Sequence, residues 1–546
     1  MNKKLILFCL CMILYCTLQS QTPTIGLIQH DTGSADHGYV LFPPTGSTNT
    51  YLINKCGKLI HSWSSTYTPG ISAYFLPDGC LLRTGTVLNS IFPSGGQGGI
   101  IEKIDWNNNV TWSALVSDAN HCQHHDIAPM PNGNVLVIAW DKKTKAEAIQ
   151  AGRRPNQTAS IIFSEKVLEL KPVGNDSAFI VWEWNLWDHL IQEYDSTKLN
   201  FGVVADHPEL ININFKANSQ FAELIHFNSI DYNADLDQIV LSGHRFDEIY
   251  IIDHSTTILE AASHTGGNSG KGGDILYRWG NPKAYQQGDE SDRKLFKQHD
   301  TRWIKKGFPY EEKIMIFNNG TGRPNGNYSS VDIIAPPMDS TGNYIQSYPF
   351  GPNILSWTYF DTASFYGKNI SGAEQLDNGN VLICEGPVGK LFEIDNMKNK
   401  VWEYINPVSA SGPMVQGSVP NNNAVFKIEF IPVGFPGLNN YNLTPGNPIE
   451  INPLNYTCIL ANTQGTEEYF PEKTISCYPS PANEIIYIET DFEEYSIFLY
   501  SMQGQQLFTG MNIKEIQLTN FSNGIYLLIT KARNAKNIFT KIVIAR

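Results

Sequence analysis

The chain has 546 residues, 42% of them hydrophobic and 17% charged, a globular composition long enough for more than one domain. A net charge of -14, a pI near 5.4 and the lack of clustered Lys and Arg argue against nucleic acid as a partner, because neutralising phosphates needs such clusters. An aromatic share of 12%, 44 Gly, 30 Pro and no long helical pattern point to an all-β class.

The first segment reads as a secretory signal. Lys3 and Lys4 precede an apolar run from Leu5 to about Leu18, followed by Ser20 and Gln21, and the run is too short for a membrane span. Cleavage is expected near Ser20, giving a signal peptide over 1–20; a lipid anchor at Cys16 is disfavoured by bulky Tyr15 before it. Export permits disulfides, but Cys56, Cys80, Cys122, Cys384, Cys458 and Cys477 are scattered without CxxC spacing, so their pairing stays open.

Six similar units follow. Trp-bearing strands recur as KLIHSW (58–63), NVTWSAL (109–115), FIVWEW (179–184), DILYRW (274–279), NILSWTY (353–359) and KVWEY (400–404). Turns of related type follow them, among them LPDGCLL (76–82), MPNGNVLVI (130–138) and LDNGNVLI (376–383), where Asp-Gly and Asn-Gly supply the positive φ of tight hairpins. Units that cannot bury both faces alone are satisfied by closing into a ring, so the expected fold is a six-bladed β-propeller over 21–440; an open solenoid or two sandwiches is the competing arrangement. The longer insertions, 142–160, 188–220 and 255–273, would roof a pocket at the channel mouth. The Trp residues are read as blade core.

A Pro- and Asn-rich connector over 441–470 leads to a tail over 471–546 whose alternating strands and QG turn describe a small β-sandwich. The elements YPSPA (478–482), NGIY (523–526) and KIV (541–543) make this tail resemble the C-terminal sorting domain of the type IX secretion system. The resemblance implies passage through the periplasm and outer membrane, with the secretion machinery as a partner and the protein secreted or held at the cell surface.

His125, His226 and His299 open similar stretches in consecutive units: HDIAPMPNG (125–133), HFNSIDYNADLD (226–237) and HDTRWIKKG (299–307). His125 and His299 each stand eight residues before a turn glycine, Gly133 and Gly307. A ring would bring all three to one axis. Around them HHDIAPMPNGNVLVIAW (124–140), LIHFNSIDYNADLDQIVLS (224–242), EIYIIDHSTT (248–257), GNSGKGGDILYRWGNP (267–282) and QHDTRW (298–303) resemble the bacterial arylsulfotransferases that use no nucleotide sulfate donor. That family implies a six-bladed propeller and sulfuryl transfer from a phenolic sulfate donor to a phenol acceptor through a covalent sulfohistidine, with no organic cofactor.

The residues suit that chemistry. Neutral imidazole is a competent nucleophile near pH 7, and the match to the family's QH motif assigns the nucleophile to His299. His125 is the candidate proton donor to a departing phenolate whose conjugate acid has a pKa of about 10. His226 and Asn228, two apart on one strand, would present donors to the sulfuryl oxygens from one face. Where the family usually has an arginine, this chain has His244 with Arg245 next, so either Arg245 turns inward through a bulge or His244 replaces it; Arg323, in NNGTGRPNG, is a further guanidinium within reach.

Other features take plainer readings. Strict alternation would turn His124, Asp126 and Asp300 away from the channel. His121 and Cys122 beside His124 hint at a metal cluster, but one short loop is poor geometry for zinc. His30, His37, His61, His189, His207, His254 and His264 are read as surface or structural. GGNSGKGGD (266–274) lacks the Ser or Thr and the helix of a phosphate loop. No metal is assigned. A metal-dependent hydrolase or lyase built on the same histidines, or a non-catalytic binding propeller, are the alternatives, and homodimerisation stays open.

Overall fold

The computed structural model describes residues 22–339, 342–345, 347–460, 475–479, 481–490, 492, 495–501, 505–532 and 538–546; the expected signal peptide lies outside them. The chain divides into two compact units, Met1–Ala461 and Asn462–Arg546.

The first unit holds six antiparallel sheets of four or five strands. Taken sheet by sheet around the ring, their inner strands are Glu429–Ile431, Pro69–Phe75, His121–Pro129, Phe227–Asn233, His299–Trp303 and Gly372–Gln375. Each of the first five packs against the next, and Phe430 N donates to Glu374 Oε2 at 3.0 Å, joining the last to the first. This is the propeller-like, all-β architecture that the repeat predicts. The middle strands, such as Ile314–Asn318 and Val381–Glu385, are buried on both faces and therefore read as continuous apolar runs, whereas an outer strand such as Val110–Leu115 alternates.

Both ends of the unit lock the ring. Glu429–Ile431 pairs with Tyr39–Phe42 in the first sheet, and Gly26–His30 pairs with Lys400–Ile405 in the last. The Trp residues add a second lock. Trp112 Nε1 donates to Ser177 O, Trp184 to Gly273 O, Trp279 to Pro352 O and Trp402 to Lys55 O, at 2.7, 2.7, 2.9 and 2.7 Å, each reaching into the following sheet's segment. An indole buried without such a partner would cost ~1–3 kcal/mol. Trp357, in the fifth sheet, is only half-buried.

The insertions carry short helices, Lys145–Gln150 and Ile258–Ala261, each opened by a Thr capping box. Cys56 is disulfide-bonded to Cys458, 402 residues away. Within the expected connector, Lys58 bridges Pro448 and Gln416 N donates to Ile451 O, so residues as far as 458 are tied to the first unit.

The second unit is a β-sandwich. Ile475–Tyr478, Ile485–Thr490 and Glu515–Gln517 form one sheet; Tyr495–Ser501, Gln506–Met511, Gly524–Ala532 and Ile538–Ile544 form the other. Ile486, Ile497, Leu499, Leu528 and Ile542 are buried between them.

Candidate active site

His226 and His299 lie where their inner strands begin and His125 lies midway along its own, and each strand breaks its pleat there. His124, His125 and Asp126 together oppose Ile138, because pairing slips between Val137 and Ala139. Asn228 is the extra residue between the pairs Phe227–Gly243 and Ser229–Ser242, and Asp300 and Thr301 together oppose Ile316. His125, His226 and Asp300 take left-handed φ values of 52°, 64° and 46°. Bulges of this kind re-aim side chains, so consecutive residues can both point inward.

The imidazoles form a chain of contacts. Ring centroids are 4.6 Å apart for His125 and His226, 5.2 Å for His226 and His244, and 5.2 Å for His244 and His299. Phe426 lies against both ends, 6.0 Å from His125 and 6.2 Å from His299. His125 packs so tightly on Gly96 that a Cβ there would fall 2.1 Å from the ring, which requires glycine at that position.

His299 is fixed in one tautomer. Its Nδ1 lies 2.8 Å from Asn319 Oδ1 and 3.1 Å from Lys297 O, both acceptors, so Nδ1 carries the hydrogen. The Asn319 amide cannot flip, since its Nδ2 donates to Gly367 O at 2.6 Å and Ile370 O at 2.8 Å. His299 Nε2 makes no hydrogen bond among the described residues. Burial holds this imidazole down to about 4, outweighing its bond to Asn319. Burial, and then the neighbouring imidazoles, also hold His125 and His244 well below the ordinary histidine value. His226 Nδ1 lies 2.8 Å from a Glu223 carboxylate oxygen.

The remaining expected residues divide. His244, not Arg245, stands between His226 and His299; Arg245 lies over the Phe221 ring at 5.0 Å. Arg323 is held by its own loop, donating to Tyr328 O at 3.1 Å and Ser330 Oγ at 2.7 Å. Asn228 is buried and donates to Gln298 O at 2.8 Å, bracing the residue before His299.

Strict alternation fails at the bulges for the two aspartates. His124 lies behind His125, flat on the Trp140 ring, with its Nδ1 2.9 Å from His125 Nδ1. Asp126 and Asp300 point to the axis, where Lys427 Nζ lies 2.7 Å from the first and 3.7 Å from the second. Tyr74 Oη donates to Asp126 at 2.9 Å, and Arg302 bonds Asp300 at 2.8 Å. This polar layer closes the axis beneath the imidazoles. Beyond it a cavity of about 660 Å³ opens at the far ends of the inner strands, lined by Asp231, Arg302, Glu374, Lys427 and Glu429.

Among the described residues, one group of His, Cys, Asp and Glu has three ligand atoms within 4.8 Å of one another: His189, His264 and Asp274. It lies outside the imidazole chain, and His189 there also bonds Ala261 O at 2.9 Å and stacks on Trp184.

An all-β, propeller-like unit with histidines gathered at one axial site, followed by a β-sandwich, defines the class of protein. The profile of the arylsulfotransferase (ASST) family matches residues 98–424, more than half of the chain, and the chain belongs to that family. A second profile, the secretion system C-terminal sorting domain, matches 476–545 and marks the protein for export to the cell surface or secretion. No helix among the described residues is long and apolar enough to cross a membrane. No curated protein matches the chain. Solved structures similar in fold include a protein of unknown function from Bacteroides caccae, with 11% identity and a TM-score of 0.39 over 72% of this chain and 99% of that one. A streptogramin B lyase has 9% identity and a TM-score of 0.34 over 76% of this chain and 95% of its own. The β-propeller domain of Myceliophteria thermophila Cps50 (Swd1) has 9% identity and a TM-score of 0.35 over 70% and 90%.

Proposed function

We propose that this exported protein moves a sulfuryl group from a phenolic sulfate ester to a phenol in two steps, with His299 as the covalent carrier. The observation that carries this reading is the fixed tautomer of His299. A hydrogen held on Nδ1 by Asn319 Oδ1 and Lys297 O leaves the Nε2 lone pair as nucleophile. In the first step His299 Nε2 bonds to sulfur as the ester S–O bond breaks, and His125 gives a proton to the leaving phenolate. In the second, the acceptor phenol loses its proton to His125 as its oxygen takes the sulfuryl group from His299.

The sulfuryl oxygens need donors that stay in place as charge shifts. His244, against His299, and His226, against His244, are in position to supply them, with Asn228 keeping the start of the His299 strand in register. Lys297 adds positive charge nearby, with its Nζ 3.5 Å from His244 O. Neutral imidazoles in place of a guanidinium would hold the ester by hydrogen bonds more than by net charge.

Intact mass after mixing with donor alone tests the reading. Addition of one sulfuryl group, mapped to His299 and absent in His299→Ala, is the expected result. Release of phenol that survives His299→Ala would defeat it.

A further inference from the structure

A line of buried polar groups runs back from His125. His125 Nδ1 lies 2.9 Å from His124 Nδ1, and His124 Nε2 lies 2.9 Å from Glu165 Oε2. His125 is 4% exposed, and His124 and Glu165 are both at 0%. The His124 ring is clamped flat on Trp140, 4.2 Å between centroids and 10° between planes. Glu165 Oε1 accepts from Phe227 N at 3.1 Å, which fixes the carboxyl.

Two ring nitrogens in contact share a single hydrogen, and so do His124 Nε2 and Glu165 Oε2. Burial pushes both imidazoles well below, and the Glu165 carboxyl well above, their ordinary values, so neutral groups are favoured. With a neutral carboxyl the order is forced. Glu165 O–H donates to His124 Nε2, His124 Nδ1–H donates to His125 Nδ1, and His125 keeps its other hydrogen on Nε2. With Glu165 ionised every bond reverses, and His125 Nε2 is bare.

Resting on the sulfuryl-transfer reading, we propose that Glu165 and His124 are positioning residues that relay a proton through His125, letting it act as acid and then as base without forming an imidazolium. In the first step the ester S–O bond breaks, S–N forms at His299, and the phenolate takes the Nε2 proton of His125. His125 Nδ1 takes the proton of His124 Nδ1, and His124 Nε2 takes that of Glu165. The products are a neutral phenol and a Glu165 carboxylate. In the second step the acceptor phenol gives its proton to His125 Nε2 while its oxygen displaces nitrogen at sulfur, and the line runs back to a protonated Glu165.

The test compares phenyl sulfate with nitrophenyl sulfate, whose leaving group departs readily without a proton. Gln at position 165 keeps the shape but cannot surrender a proton. Glu165→Gln is expected to lower the rate of the donor step about 10²-fold for phenyl sulfate and far less for nitrophenyl sulfate. An equal loss for both esters would overturn the relay. If Glu165→Gln does not fold, the wild-type protein decides: the phenyl sulfate rate in mixtures of light and heavy water should follow a bowed curve, as more than one proton moves. A straight line overturns the relay alone, whereas a wild-type protein that transfers sulfuryl from neither ester overturns the sulfuryl-transfer reading as well.

Discussion

Asn319 Oδ1 accepts the Nδ1 hydrogen of His299 at 2.8 Å, while the same amide is anchored by Gly367 and Ile370. A neutral acceptor leaves His299 easy to deprotonate, and burial holds it down to about 4. Activity should therefore fall only as pH drops through about 4. Asn319→Asp would set a carboxylate beside Nδ1, favour the imidazolium and move this acid limb to higher pH. The pH profile of kcat/KM for the donor measures it; an unmoved limb would show that Asn319 does not set the state of His299.

His244 occupies the place between His226 and His299 that Arg245 leaves vacant. Loss of a donor to a charged oxygen is worth ~1.5–3 kcal/mol. His244→Ala is expected to lower donor kcat/KM by about tenfold to a hundredfold, and His244→Arg to restore most of it. Steady-state kinetics with a nitrophenyl sulfate and excess phenol reads both. Full activity in His244→Ala would remove the residue from the site.

Which parts of this were legible in the sequence follows from what repeats. His125 and His299 stand at one offset from their turn glycines, so a ring places them together, and the Trp strands mark the outer edge of every sheet but the last, where Gly26–His30 lies outside. Alternation, however, predicts side-chain direction only while pairing is regular. At His124 to Asp126 and at Asp300 extra residues break the register, and Asp126 and Asp300, expected to face away, turn to the axis. Phe426 and Lys427 come from a segment about 300 residues distant from His125, and nothing local announces them. The Cys56–Cys458 pairing closes a span of 402 residues, which spacing alone could not choose.

Lys427 is the cation between Asp126 and Asp300, all three nearly or fully buried. Removing one partner of a buried pair leaves uncompensated charge and costs ~3–5 kcal/mol. Lys427→Met should lower the denaturant midpoint accordingly. Adding Asp126→Asn should recover part of the loss, because the stranded carboxylate goes with it, whereas Asp300 keeps Arg302. Near-neutral behaviour of Lys427→Met would mean that solvent in the far cavity already screens this layer.

Glu429 lines that cavity and accepts from Phe75 N at 2.9 Å. Burial, and then the neighbouring Glu374, push its carboxyl up to about 7. A carboxyl raised in the folded state favours folding while protonated, fully below the ordinary Glu value, and loses that contribution as pH rises through about 7. Glu429→Gln keeps an acceptor for Phe75 N and removes the ionisation. The variant should match the wild type at acidic pH and exceed it by ~1–2 kcal/mol above neutrality, solvent in the cavity reducing the full effect. Thermal unfolding of both proteins on the acid and alkaline sides of neutrality checks the sign. A difference that does not change with pH would mean that Glu429 titrates alike in the folded and unfolded chain.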